Sequence, residues 1–499
     1  MLVPQNKTIS RSDPGSGRAF HGGKRGSSSK LVMNPRPRPH RRQSPREQGA
    51  HAERVSVGGQ HTPARAEAIS SHENFSESPP DWRQVDALRR RSKLLAICVV
   101  TCLWCAGCRQ WAATENYRPP AVAVAGQPAS NLLNGCPDHY DSQIDYFPEK
   151  AKFQYASQLR VTYHRNYKVV EFNPAVHTSE TFRYVLVQCG TPAPKADGRT
   201  HTVQLPVQRF TLNHAEYGST VVRLGVLDRL VGVPSLLGFS TPEILERARR
   251  GEMHEVGSRS HSSLEPTVAV DPDVAFLFYS AYPNANLHPQ LWQLGVEGVP
   301  LASHFEPTPL GRSEWIKLFA LFFNRERRAE EIFAPSARNY EELARRAAAA
   351  GSRPEVLLGA PNSRDIWALS GGRNFMAQLV WDAGGHYFWH DQQAGSLVLA
   401  DYERVFDESL GTAVWVGGNG VNRVSNRRDL IHNDPHLAFF APVERGDVFA
   451  TDRGIDKRHV MPYSDQSLDK PDVVLADFAG ALHPDLLPGR TPVFLRKLD

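Results

Sequence analysis

Residues 274–279 of this chain, Val-Ala-Phe-Leu-Phe-Tyr, are apolar at every position and follow the breaker Asp271-Pro272-Asp273. A strand with one wet face alternates apolar and polar side chains. An unbroken apolar run belongs instead in a parallel sheet covered on both faces. That placement demands helices on either side, and the flanking sequence offers them. Residues 209–212 read as a short strand, 215–230 as an amphipathic helix, and 230–233 as a strand ended by Pro234. Residues 264–270 read as a short helix, 287–294 as another, and 298–303 as the next strand. The alternation predicts a doubly wound α/β lobe over residues 206–323.

A helical stretch follows. Ser313-Glu314 opens it, residues 315–324 continue it, and 325–333 carry paired charges. Pro335 is expected to break or kink it, because proline removes an amide donor and crowds the preceding turn. Residues 337–350 are again helical up to Gly351, so 324–350 reads as a connecting helix. A second α/β pattern fills 351–499, with strands at 355–359 and 412–416 and helices at 374–383, 403–409, 429–433 and 472–483. The predicted fold class is α/β: two doubly wound lobes joined by a helical rod. A ligand would sit between the lobes, at the carboxyl ends of the strands.

The chain ahead of the lobes divides into four. Residues 136–205 contain two alternating runs, 153–163 and 167–172, around His164-Arg165-Asn166, which read as an antiparallel hairpin, then a strand at 184–188. Cys136 and Cys189 are the two cysteines of the globular part. In an oxidising compartment they suggest one disulfide, worth about 4 kcal/mol in the chain-entropy picture, the alternative being two separate buried thiols. Residues 109–135 are a polar, Pro- and Ala-containing tether. Residues 88–108 run from Arg89-Arg90-Arg91-Ser92-Lys93 through an apolar stretch to Cys105-Ala106-Gly107-Cys108. That is the layout of a secretory signal, too short for a bilayer span of about 20 residues. The Ala-Gly-Cys end resembles a lipobox, with Cys108 as the lipidated residue, although Cys105 stands where leucine is usual. A non-cleaved anchor or a buried apolar segment is the plainer reading.

Residues 1–87 form a basic extension, of which 1–84 carry almost no aliphatic runs and are expected to be disordered. Residues 1–108 hold 18 Lys and Arg against 8 Asp and Glu, net +10, while the whole chain is +5; the part after Cys108 is therefore about −5. The basic balance belongs to the leader, and a nucleic-acid partner is not implied. The simplest expectation is an over-extended start, with initiation near Val85 or Leu88.

Four motifs in order bring a resemblance. Residues 264–277, Leu-Glu-Pro-Thr-Val-Ala-Val-Asp-Pro-Asp-Val-Ala-Phe-Leu, are similar to the signature "L-E-x-[IV]-x-x-L-x-P-D-L-[VI]" of iron-siderophore and cobalamin periplasmic binding proteins. Residues 309–316, Pro-Leu-Gly-Arg-Ser-Glu-Trp-Ile, resemble that family's turn into a helix. Residues 401–406 resemble its C-lobe glutamate helix, and 470–488 the siderophore-type ending of cyanobacterial-type members. The resemblance covers 136–499 and implies a class III, helical-backbone receptor of an ABC importer: a monomeric, extracytoplasmic lipoprotein without a resident cofactor.

It also implies that Glu265 and Glu403, one per lobe, dock on permease arginines, since an exposed carboxylate at a helix start can make bidentate contacts to arginine. The implied cargo is a ferric siderophore, with cobalamin, another corrinoid or haem as alternatives. Candidate ligand contacts are Tyr279, Arg259, Trp367, Asn213 and Tyr282, with His214, Ser258, Asn362, Trp389 and His390 as further cleft positions. His386 with His390 and His432 with His436 have the four-residue spacing of a helical metal pair. However, the first pair lies on a turn and strand, Asp434-Pro435 breaks the second helix, and neither has an acidic or cysteine partner at fitting spacing. No Gly-x-Ser-x-Gly elbow, His-Glu-x-x-His or phosphate loop is present, which argues against an exported enzyme. A non-transporting surface receptor is the remaining class. N-terminal sequencing and intact mass of the native protein should find a mature chain beginning at Cys108; peptides from residues 1–80 in cells would overturn the over-extended start.

Overall fold

The computed structural model describes residues 126–499 except 174–179, 196, 199, 237, 257–263, 362–365 and 418–423. All belong to one unit, Thr114–Asp499. The signal, the basic extension and Cys108 lie outside the described residues, as do Arg259, Ser258 and Asn362.

The N-terminal region is a four-stranded sheet in sequence order: Leu159–Tyr163, Tyr167–Phe172, Phe182–Gln188 and His201–Leu205. The first three strands are antiparallel and the fourth runs parallel to the third. The hairpin is therefore half of a larger sheet, and its first strand starts at Leu159, not at 153. The cause is local. Glu314 accepts the amides of Gln154, Tyr155 and Ala156 at 2.7–3.0 Å. Glu306 accepts those of Ser157 and Gln158 at 2.9 and 3.2 Å. With their donors taken, these residues have none to give a ladder. Cys136 and Cys189 form a disulfide.

The first lobe is a five-stranded parallel sheet in the order His254–Glu255, Leu230–Val233, Phe210–Leu212, Val274–Phe278, Glu297–Leu301. Counted along the chain this is third, second, first, fourth, fifth, the doubly wound order. Phe210, Phe276 and Leu212 are fully buried, as the unbroken apolar run requires. The helix expected over 215–230 is shorter: a 3-10 turn Ala215–Tyr217, a helix Gly218–Leu224, then a 3-10 turn Leu227–Arg229. Gly225, at φ 71°, stops it in the left-handed cap that glycine adopts without strain.

The second lobe has the sheet order His386–Tyr387, Glu355–Leu358, Val414–Val416, Val448–Ala450, Arg496–Lys497, parallel except for the last strand. A small antiparallel sheet, Ala360–Pro361, Ile366–Ser370 and Leu397–Asp401, is added beside it.

Between the lobes the chain runs through the helix Pro309–Leu321, turns at Asn324 (φ 57°), and continues as one helix, Glu326–Ala348. Its 23 residues span about 35 Å. Pro335 neither ends nor splits it. It sits on the exposed face, one residue before the buried pair Ser336 and Ala337, so the carbonyl that loses its amide partner belongs to exposed Glu331. Water can meet a carbonyl there, and the proline costs far less than in a buried turn.

A second connection was not legible in the sequence. After the last parallel strand of the second lobe, the chain returns to the first. Asp465, fully buried, accepts the amides of Ser240 and Thr241 at 2.9 and 2.8 Å and the Thr241 hydroxyl at 2.7 Å. Asp469 accepts from Ser219 at 2.5 Å and Arg223 at 2.9 Å, and Arg458 donates to the Phe239 carbonyl at 2.9 Å. Removing a buried acceptor strands its donors. Asp465→Ala should therefore lower the unfolding free energy by about 3 kcal/mol, while Glu403→Ala, at an exposed helix start, should stay within about 0.5 kcal/mol. Urea titration of the two variants checks this.

Candidate ligand site at the switch point of the first lobe

In a doubly wound sheet the crevice opens where the strand order reverses, beyond the carboxyl ends of the two strands that flank the reversal. In the first lobe those strands are Phe210–Leu212 and Val274–Phe278. His214 lies just past the first, Phe278 ends the second, and the neighbouring strand Glu297–Leu301 leads to His304. These three rings, all partly exposed, form one cluster. Phe278 lies 4.9 Å from His214 and 4.6 Å from His304 by ring centroid, the latter pair stacked at 14°. His304 also packs against Phe305 at 4.1 Å.

Beneath the rings is a buried ion pair. Glu216 is paired with Arg312 and accepts from Ser303 Oγ at 3.4 Å; His214 Nδ1 lies 3.3 Å from Glu216 Oε2. Burial alone would raise the Glu216 pKa, but Arg312, His214 and His304 outweigh it and hold the carboxyl well below its usual range. Arg312 comes from the Pro-Leu-Gly-Arg motif and carries its charge to the second lobe, where the guanidinium lies 4.6 Å from the Phe375 ring. Such a contact combines cation–π attraction with burial of the arginine stem. Tyr463, whose phenol burial pushes up, closes the same region and donates to Met376 Sδ at 3.6 Å. The site is thus a ring-lined floor fixed by a charged pair, at the place where the lobes meet.

The residues expected from sequence are distributed differently. Tyr279 is 2% exposed, packs on Phe182 and Phe305, and donates its hydroxyl to Glu180 at 2.7 Å, so it joins the first lobe to the N-terminal sheet. Its neighbour Phe278 takes the cleft position. A strand turns successive side chains to opposite sides, and in an apolar run nothing in the sequence says which parity faces the ligand. Trp367 is fully buried among Tyr402, Trp415 and Phe440, a core residue of the second lobe. Asn213 is buried, its amide bonded to the Phe276 carbonyl at 2.8 Å. Tyr282 is 75% exposed on the loop beyond Phe278. Trp389 is buried and donates to Glu408, whereas His390 is exposed beside Asp391 at 3.1 Å. His386 and His390 come within 4.2 Å by centroid. Among the described residues no group of three or more His, Cys, Asp or Glu side chains is arranged to hold a metal ion. Glu265 and Glu403 are both exposed, each in the first turn of its helix.

The depressed Glu216 pKa fixes the sign of a pH effect. A carboxylate whose folded pKa lies below its unfolded value of 4.5 adds stability that is fully present above that pH and lost as pH falls toward the folded value. Glu216→Gln should therefore differ most from the parent above pH 4.5 and converge with it in acid. Urea midpoints measured across pH 3–7 (a span of roughly 1.5 units below to 2.5 above the unfolded value) check this, and a constant difference would contradict an ionised Glu216.

Residues 214–453 match the model of the periplasmic binding protein family. Two uncharacterized lipoproteins of Methanocaldococcus jannaschii are similar in sequence. One is 25% identical over 259 residues, covering 52% of this chain and 59% of the relative. The other is 24% identical over 319 residues, covering 62% and 77%. The chain thus spans little more than half the length of the first. Among solved structures, a periplasmic heme-binding protein from Pseudomonas aeruginosa is 20% identical, with a TM-score of 0.44 over 59% of this chain and 98% of that one. A periplasmic binding protein from Veillonella parvula is 13% identical, with 0.46 over 63% and 98%. Residues 214–453, just under half of the chain, are thus similar to the periplasmic binding protein family.

Proposed function

We propose that the chain is the substrate receptor of an ABC importer, tethered outside the cytoplasm, and that its cargo is an iron chelate seated on the floor of His214, Phe278 and His304. The observation that supports this reading is the cluster itself. Three adjacent strand ends bring three partly exposed rings to the switch point of a doubly wound sheet. Flat aromatic and imidazole faces suit the organic shell of a chelate, and few polar groups are needed to orient it.

Two lobes pinned through both the long helix and Asp465 suit capture with little closure. Hinge motion is absorbed by a few freely rotating loop residues, and here the return segment is hydrogen-bonded to both sides. A binding role, not catalysis, fits a site whose one charged pair is buried beneath the floor. The chain would act as a monomer held at the membrane through Cys108. Among the described residues no helix is long and apolar enough to cross a membrane.

Titration of the domain from residue 126 onward with ferric siderophores, haem and cobalamin, followed by tryptophan fluorescence, tests the reading; binding to none would refute it. Delivery is proposed to use Glu265 and Glu403. The double variant Glu265→Ala, Glu403→Ala should keep its chelate affinity within about twofold, as surface changes do, and abolish uptake in cells that depend on the protein. Unimpaired uptake would overturn the docking assignment.

A further inference from the structure

We propose that a second cavity, between the long helix Glu326–Ala348 and the helix Phe375–Asp382, binds an organic ammonium ion, with its charged head on Asp382 and its apolar body along Leu310 and Ala344. The cavity shares no lining residue with the ring floor of His214, Phe278 and His304, so the inference goes beyond the receptor reading and does not depend on it.

The cavity measures about 480 Å³, in the range that encloses small organic ligands. Four parts of the chain wall it: Tyr155 ahead of the N-terminal sheet, Leu310 at the start of its helix, Tyr340 and Ala344 on the long helix, and Gln378 and Asp382 from the second lobe. Most of the lining is apolar, which suits the body of an organic molecule and not a hydrated inorganic ion.

Asp382 gives the cavity its sign. Its carboxylate is half-buried and accepts the Tyr340 hydroxyl at 2.7 Å and the Gln378 side-chain amide at 2.8 Å. Both donors are neutral, and among the described residues Asp382 has no ion-pair partner. Arg353, whose charge also acts on it, is hydrogen-bonded to the Trp381 and Gly385 carbonyls at 3.0 and 3.2 Å. Burial outweighs these influences and raises the Asp382 pKa. The residue also closes the C-terminal end of its helix, where the backbone dipole favours a cation over an anion. A cation entering the cavity thus meets a partly dehydrated carboxylate with lone pairs to spare and no counter-charge.

The surroundings add to the same sign. Glu341 is exposed, accepts the Tyr155 hydroxyl at 2.7 Å, and is likewise without an ion pair among the described residues. Arg345, the cation on the cavity wall, pairs instead with Glu342. The Tyr155 pKa is pushed up to about 12, by burial first and then by Glu341, Glu314 and Glu330. The N-terminal end of the helix Pro309–Leu321 also borders the cavity, but Thr308 Oγ1 caps it from within, accepting the Gly311 amide at 3.0 Å. An anion would face two carboxylates, and a neutral molecule would bury Asp382 further without offsetting its charge. An ammonium head supplies both the donors and the charge, and the tyrosine rings suit it too.

Calorimetric titration of the protein at neutral pH with phenethylamine, phenethyl alcohol and phenylpropionate tests this, because the three probes share one apolar body and differ in charge. The amine should bind, the alcohol should bind about tenfold more weakly, and the carboxylate should not bind. Asp382→Asn, which keeps an oxygen for the Tyr340 hydroxyl, should weaken the amine about tenfold and leave the alcohol unchanged. Ala344→Phe, which fills the cavity and alters neither carboxylate, should abolish amine binding while the circular dichroism spectrum stays that of the parent. If the alcohol binds as tightly as the amine, or Asp382→Asn leaves the amine affinity unchanged, the charge assignment is wrong. If the parent binds no amine, or Ala344→Phe binds it as the parent does, the cavity is not the site.

Discussion

Buried carboxylates that gather the amides of irregular chain hold this molecule together. Glu314 and Glu306 collect five amides from residues 154–158. Asp465 collects two from 240–241, and Asp477 those of Val493, Phe494 and Leu495, at 2.9, 2.5 and 3.0 Å to Oδ2. Each is almost fully buried, where an unpaired charge would be prohibitive. Several N–H donors per carboxylate reverse that, because hydrogen bonds to an ionised acceptor are the strong ones. The same bonds satisfy loop amides that have no ladder to join. One group thereby settles two problems of desolvation at once.

This device also explains how an N-terminal sheet of modest size is welded to a two-lobed body. Lys168, fully buried, donates to the Leu321 carbonyl at 2.9 Å and Asn324 Oδ1 at 2.8 Å, pairs with Glu326, and lies 4.5 Å from the Phe147 ring. The turn between the two central helices is therefore gripped from the sheet side. The grip falls where the chain passes from lobe to lobe.

The lobes were legible in the sequence because their strands are buried on both faces and announce themselves as unbroken apolar runs. The same property hid the site: in the run ending Phe278-Tyr279 both parities are apolar, and the tyrosine that looks like a ligand contact is spent on Glu180. Trp367 misleads for the reverse reason, since a large aromatic near a strand end suits a pocket and a core equally well. His214 was legible as a position but not as a pair with Glu216, because a contact over two residues through a 3-10 turn has no periodic signature. Arg312 and Glu314 could be read only as motif letters; their partners are 96 and about 160 residues away.

The return of the chain to its first lobe has a consequence for how the molecule is made. Thr241 finds its acceptor 224 residues later. Until Asp465 has emerged, the first lobe carries the Ser240 and Thr241 amides without that carboxylate to bind them, so it cannot reach its finished packing alone. Closing of the first lobe is thus coupled to synthesis of a distant segment: a product truncated before Asp465 would retain an unsealed lobe.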